Sequence, residues 1–338
     1  MWRSRRGRTT AAGIALALAA VCADVAAADE PPPYFPTEVV PSGTTPKPPK
    51  SGFAGDQVDA PRIRSVSHTF GQVAARSGIG LRTYRYSEQY QNASTLDVYT
   101  PRQFVGRHNR NVRTVILVHG GAWQMGDRID LEAKAVQLAK RGLVVVSVNY
   151  RLATQAAWPA QRDDVNAAVA YVRTNARKLN VDTKRVVLIG SSAGGQIAAN
   201  VATWGAGRKR FRGLVTLSGL VNPLLMAQQD PDYSNSVVPE LLLRCAPSEC
   251  PDRYASATAK NSLDARDMPS LLFHSRSEVP WDPTQSREFA RTSRALGVPS
   301  KLVVLPGVLH GIDAWGEIWP TLKVWLLERL GSSDRTAR

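Results

Sequence analysis

Six segments of the chain are short, almost unbroken apolar runs: Thr114–Val118, Leu143–Val148, Val186–Ile189, Leu214–Leu217, Ser270–Phe273 and Leu302–Leu305. A strand with one wet face alternates apolar and polar residues. Runs without alternation belong to strands covered on both faces, as in a parallel sheet between two helix layers. The stretches between them carry helical spacing: Leu131–Lys140, Asp163–Lys178, Gln196–Trp204, Gln285–Leu296 and Ile318–Leu330. Leu81–Ser87 and Thr95–Tyr99 precede the set as edge strands. Strand and helix alternating over this length predict an α/β fold built on a mostly parallel, doubly wound sheet. In such a sheet the chemistry gathers at the carboxyl ends of the strands.

The N-terminal segment is of another kind. Arg3, Arg5, Arg6 and Arg8 precede a short apolar run, Gly13–Val21, and Ala26-Ala27-Ala28 supplies a small-residue cleavage site. This is the pattern of an export signal over residues 1–28, and it predicts a periplasmic or secreted protein. The apolar run falls short of the roughly 20 residues that span a bilayer, so no stable membrane span is expected. Cys22 offers lipidation as an alternative, but Val21 is bulkier than the small residue such a site prefers. Residues 29–61 hold nine of the 22 prolines and read as a disordered linker. The α/β domain is expected over 62–338.

Charge narrows the partners. The chain carries 43 Lys and Arg against 28 Asp and Glu, a formal +15; without residues 1–28 it keeps 39 against 27, or +12. The basic residues are scattered, and the cluster Arg208-Lys209-Arg210 has no interleaved aromatics, so a nucleic-acid partner is not expected. The surplus favours anionic surroundings instead. Cys245 and Cys250 lie five residues apart with no neighbouring Cys or His. In an oxidising compartment they predict a local disulfide rather than a metal site.

Three strand ends carry chemistry. Gly190-Ser191-Ser192-Ala193-Gly194 follows one predicted strand and precedes a helix, the context in which a sharp turn exposes a nucleophile, here Ser192. His119-Gly120-Gly121-Ala122-Trp123 follows the first buried strand. Its small residues let the amides of Gly121 and Ala122, with that of Ala193, converge on a developing oxyanion. Of five histidines, only His274 and His310 follow Ser192. His310, in the loop after the last strand, is the candidate general base. His274 lies inside a strand and His119 inside its own loop, and both are expected to be structural. The acid belongs after the strand that holds His274: Glu278 is the candidate and Asp282 the alternative.

Taken together these segments resemble the α/β-hydrolase esterases that carry H-G-G-x-W, a branch that includes feruloyl and acetyl-xylan esterase-like proteins, hormone-sensitive-lipase-like esterases, kynurenine formamidases and isoprenylcysteine methylesterases. The matching positions are Leu96-Asp97-Val98-Tyr99-Thr100-Pro101, His119–Gly126, Asn149-Tyr150-Arg151-Leu152, Trp158-Pro159, Asp164-Val165, Gly190–Gly195 and His274–His310, in the family's order over residues 95–312. Two departures stand out. Relatives usually read His-Gly-x-x-Asp where this chain reads His274-Ser275-Arg276-Ser277-Glu278, and the family's third oxyanion-loop glycine is Ala122 here.

The resemblance implies a serine carboxylic-ester hydrolase working through an acyl-enzyme with Ser192, Glu278 and His310, and without a cofactor or metal. Residues 219–268 fall between two core strands and are expected to form a small cap over the site, its pocket shared with Trp123. The polar, proline-interrupted part of that insertion lacks the apolar stripe of a long acyl tunnel. Short acyl esters of a small molecule, carbohydrate- or phenol-linked, are therefore expected. An amidase or formamidase on the same scaffold and a non-catalytic binding protein are the alternatives.

Overall fold

The structure, a computed structural model, describes residues 71–204, 207–229, 237–278, 281 and 283–331. The expected export signal, Cys22 and the proline-rich linker lie outside the described residues, as does Asp282. The strands are β1 (Gly80–Arg85), β2 (Thr95–Thr100), β3 (Val112–Val118), β4 (Val144–Val148), β5 (Val181–Ser191), β6 (Gly213–Leu217), β7 (Ser270–Ser275) and β8 (Ser300–Leu305). They form one sheet in the order β1-β2-β4-β3-β5-β6-β7-β8. β1, β2 and β4 pair antiparallel, and every pairing from β4 through β3 to β8 is parallel. This is the expected doubly wound α/β sheet. All positions of β3, β4, β6 and β7 are buried, whereas the edge strands β1 and β8 keep exposed and half-buried positions. Burial on both faces is why the inner strands read as unbroken apolar runs.

The helices are α1 (Gln72–Arg76), α2 (Glu132–Ala139), α3 (Ala160–Thr174), α4 (Ala176–Leu179), α5 (Ala193–Thr203), α6 (Pro223–Gln229), α7 (Pro251–Ala257), α8 (Thr284–Ala295) and α9 (Trp315–Leu330). Side chains of α1, α2 and α9 join one apolar cluster, and those of α3, α5, α6, α7 and α8 join the other. Along β3 the sides alternate: Ile116 and Val118 go to the second cluster, Val115 and Leu117 to the first.

Two helices depart from the expectation. The single helix Asp163–Lys178 is two, α3 starting earlier and ending before Asn175, with α4 beyond it. α5 begins at Ala193 rather than near Gln196. Gly194 and Gly195 are poor helix formers by propensity. Packing overrides that, because a Cβ on Gly194 would lie 2.2 Å from the His119 carbonyl oxygen.

Described residues of the insertion 219–268 pack beside α5. Leu220, Val221, Met226, Val238, Leu242, Leu243, Tyr254 and Ala257 join the core. The Ala257 carbonyl accepts from Gln196 Nε2 at 2.8 Å and Asn200 Nδ2 at 2.9 Å, and the Leu242 carbonyl accepts from Trp158 N at 2.7 Å. These apolar residues are spent on this packing. Cys245 and Cys250, Cα atoms 6.1 Å apart, are joined within it.

Candidate active site

The turn between β5 and α5 places Ser192 at φ 53°, ψ −122°, a sparsely populated conformation for a residue with a Cβ. A Cβ on Gly190 would meet the Gly194 carbonyl oxygen at 2.1 Å, so the two glycines of the motif let strand and helix touch on either side of the serine. The Ser192 N–H donates to Leu217 O at 2.8 Å, tying the turn to β6.

Ser192 Oγ lies 2.7 Å from His310 Nε2, and His310 Nδ1 lies 2.5 Å from Glu278 Oε1. The sequence separates these residues by 118 and 32 positions, and the ends of β5, β7 and β8 bring them together. The two loops that carry Glu278 and His310 are stapled by backbone bonds, Arg276 N to Leu305 O at 2.8 Å and Ser277 N to Gly307 O at 3.0 Å. Ser275 Oγ adds a bond to Leu309 O at 2.6 Å. Glu278 is 4% exposed, so its lone pairs need partners inside the protein. Its second oxygen accepts from Ser218 Oγ at 2.7 Å, and Ser218 Oγ in turn accepts from Gly311 N at 2.9 Å. Ser218, just past β6, was not foreseen. A serine after a strand carries no signal until the fourth strand end is known to be adjacent.

The two other histidines behave as expected. His274 is fully buried, with Nε2 2.9 Å from the Trp281 carbonyl and Nδ1 3.0 Å from Ser286 Oγ. Because a carbonyl only accepts, Nε2 donates to Trp281 O. His119 donates from Nδ1 to Gly120 O at 2.8 Å and stacks on Tyr150 with ring centres 4.3 Å apart. Burial pushes its pKa below the ordinary histidine value and keeps the ring neutral.

The loop after β3 turns sharply: Gly121, Ala122 and Trp123 have φ of 109°, 51° and 59°. Gly121 is required, since a Cβ there would meet Met125 O at 2.2 Å. Ala122 adopts a left-handed conformation at a cost of about 1–2 kcal/mol, which is the backbone reason for a glycine at this position in relatives. Gly120, Gly121 and Ala122 belong to the wall around Ser192; the Ala193 amide opens α5, where no preceding turn supplies an acceptor.

Motif residues farther out hold this loop in place. Asp127 caps the turn Arg128–Leu131 in a reciprocal capping box with Asp130. Arg128 Nε lies 3.1 Å from Oδ2 of Asp97, which is fully buried in β2. Burial pushes the Asp97 pKa up, against the lowering effects of Thr83 and Arg128. Arg151 pairs with Asp164 at 2.7 Å, and Tyr150 Oη donates to His119 O at 3.0 Å.

Trp123 is not a pocket residue. It is fully buried, and its Nε1 donates to Gln196 Oε1 at 3.1 Å. A cavity of about 470 Å³ over Ser192 is lined instead by the Gly120–Ala122 backbone, Met125, Leu131, Trp281, Ile312, Asp130 and Asp313, with no described residue of 219–268. The Trp281 ring sits 5.5 Å from that of His310. Sequence reasoning missed Trp281 because its place depends on where the loop after β7 folds back. Among the described residues no three His, Cys, Asp or Glu side chains are grouped to hold a metal ion.

The model of the BD-FAE family matches residues 96–292, from β2 to within α8. The chain belongs to the BD-FAE family. The match spans the oxyanion-type loop, the serine turn and Glu278, as the motif resemblance implied, and stops short of His310. Carboxylesterase NlhH of Mycobacterium tuberculosis is 42% identical over 94 residues, 27% of this chain and 29% of NlhH. The chain thus spans less than a third of that relative. Ethyl acetate hydrolase of Pseudomonas putida is 27% identical over 60% of this chain and 67% of its own. Among solved structures, a truncated carbohydrate esterase from gut microbiota superposes with a TM-score of 0.64 at 22% identity, covering 75% of this chain and 97% of that one. This BD-FAE member therefore has the α/β-hydrolase fold.

Proposed function

We propose that the protein is a serine carboxylic-ester hydrolase. The observation that carries this reading is the hydrogen-bonded chain Ser192–His310–Glu278, opening on a cavity walled by the Gly121 and Ala122 amides. His310 Nε2 takes the Ser192 proton as Oγ attacks the ester carbonyl. The N–H groups of Gly121, Ala122 and Ala193 hold the oxyanion, and Glu278 orients the imidazole and balances its positive charge. The protonated imidazole then gives its proton to the departing alcohol, and water cleaves the acyl-enzyme by the same route.

Short acyl chains fit this reading, because the cavity is open and apolar side chains of the insertion such as Leu220, Met226 and Leu242 are committed to the core. We also propose export to the periplasm or medium, on the strength of the N-terminal arginine, apolar and alanine pattern. The test is labelling by a fluorophosphonate probe with hydrolysis of 4-nitrophenyl esters from C2 to C16. Wild type should label and peak at C2–C4. Ser192→Ala should fold, not label, and lose at least about 10³-fold in kcat. Near-normal hydrolysis by a folded Ser192→Ala refutes the serine mechanism. A peak at C8 or beyond refutes the short-acyl reading, and rapid N-formyl hydrolysis without ester turnover would make the protein an amidase.

A further inference from the structure

The charge of the cavity over Ser192 is opposite to that of the chain. The chain is strongly basic, yet among the described residues no Lys or Arg lines the cavity, and apart from His310 the charged side chains that do are Asp130 and Asp313. The nearest cation along the loop, Arg128, is engaged with Asp97 and Asp127, each at 3.1 Å. Asp130 is exposed and accepts only the Asp127 N–H, at 2.8 Å, among the contacts of its carboxylate. Asp313 is exposed and follows His310 by three residues; its own N–H bonds the His310 carbonyl at 3.1 Å, which fixes it on the turn that presents the imidazole. Among the described residues neither carboxylate lies within ion-pair distance of a Lys or Arg.

Two unneutralised carboxylates on the wall of a concave site set the local potential, because apolar walls focus the field that the distant surface cations cannot reach through a screening solvent. The Trp281 indole lines the same cavity and presents a ring that attracts cations. We propose that Asp130 and Asp313 make this site selective by charge. It favours esters that bear a cationic group close to the scissile bond and rejects those that bear a free carboxylate there. This rests on the ester-hydrolase reading and assigns Asp313 as its principal specificity residue, since Asp130 is also tied into the capping box.

The expected size follows from Coulomb's law. A unit charge roughly 6–8 Å from a partly hydrated carboxylate gains about three- to fivefold per carboxylate, so about tenfold or more for the pair. The experiment compares kcat/KM for acetylthiocholine and its neutral carbon isostere, S-(3,3-dimethylbutyl) thioacetate, and for 4-nitrophenyl butyrate and 4-nitrophenyl hemisuccinate, at low salt and at about 1 M NaCl. Wild type should prefer the cationic thioester by about tenfold and disfavour the hemisuccinate, with both ratios shrinking in salt. Asp313→Asn should lower the cation-to-neutral ratio about threefold, and Asp313→Lys should bring it to one or below. The ratio within each variant is the readout, so a general loss of activity does not mimic the effect. A wild-type ratio of one, insensitive to salt, overturns the inference, as does a ratio unchanged in Asp313→Asn. Absence of turnover on every ester overturns the hydrolase reading, and this inference with it.

Discussion

Replacing Glu278 by Gln changes almost nothing in shape and removes one charge. Gln can still turn its carbonyl to His310 Nδ1 and its amide to Ser218 Oγ, whose proton is free to rotate away. What is lost is the carboxylate beside the imidazolium that forms when Ser192 attacks. With nitrogen and oxygen 2.5 Å apart, the charge centres lie roughly 3.5 Å apart, and at an effective dielectric of ~20 their attraction is about 4–5 kcal/mol. A neutral amide hydrogen bond keeps about 1 kcal/mol of this. The remaining ~3–4 kcal/mol is a loss of roughly 10²–10³ in kcat/KM. Stability should hold or rise, because a buried carboxylate becomes neutral without leaving a cavity. The assay is kcat/KM on 4-nitrophenyl acetate, with thermal unfolding measured beside it. Asp282→Asn, at the alternative acid, should cost less than about threefold if Glu278 is the partner of His310. A folded Glu278→Gln within threefold of wild type, or an Asp282→Asn that loses more, would refute the assignment of Glu278.

Gly121→Ala puts a methyl against Met125 O from a backbone at φ 109°. It should lower kcat by about 10²-fold or more through the displaced amides, whereas Gly316→Ala, with open space around it, should be silent; equal activity of the two would refute the loop's role. Thiol titration of the unfolded protein lacking residues 1–28, without reductant, should find no free sulfhydryl, and two would show Cys245 and Cys250 unpaired. His119 bears on pH. Its folded pKa is lowered by burial, so the unfolded chain takes up the proton first, and stability falls as pH drops below about 6.5, by up to ~1.4 kcal/mol per unit. His119→Asn, which keeps a donor for Gly120 O, should flatten that slope in urea unfolding. Asp97 acts with the opposite sign: its raised pKa favours the folded state at acid pH, and that contribution fades as pH climbs through the raised value.

What could be read from the chain is what neighbouring residues determine. Unbroken apolar runs such as Val144–Val148 mark buried parallel strands, because burial on both faces leaves no position for a polar side chain. The small residues around Ser192 mark a sharp turn, because only small side chains fit where strand and helix touch. The order serine, acid, base followed from those strands and from the motifs between them. The contacts that decide the rest join residues far apart in the chain. Ser218 bridges Glu278 to Gly311 only because the ends of β6, β7 and β8 lie side by side. Trp123 was expected in the pocket and is core, since Gln196 of α5 claims its indole N–H; Trp281 takes the cavity wall after a long excursion of the chain. Leu220, Val221, Leu242 and Leu243 of the insertion 219–268 join the core beside α5, and that placement belongs to packing, which no local pattern encodes.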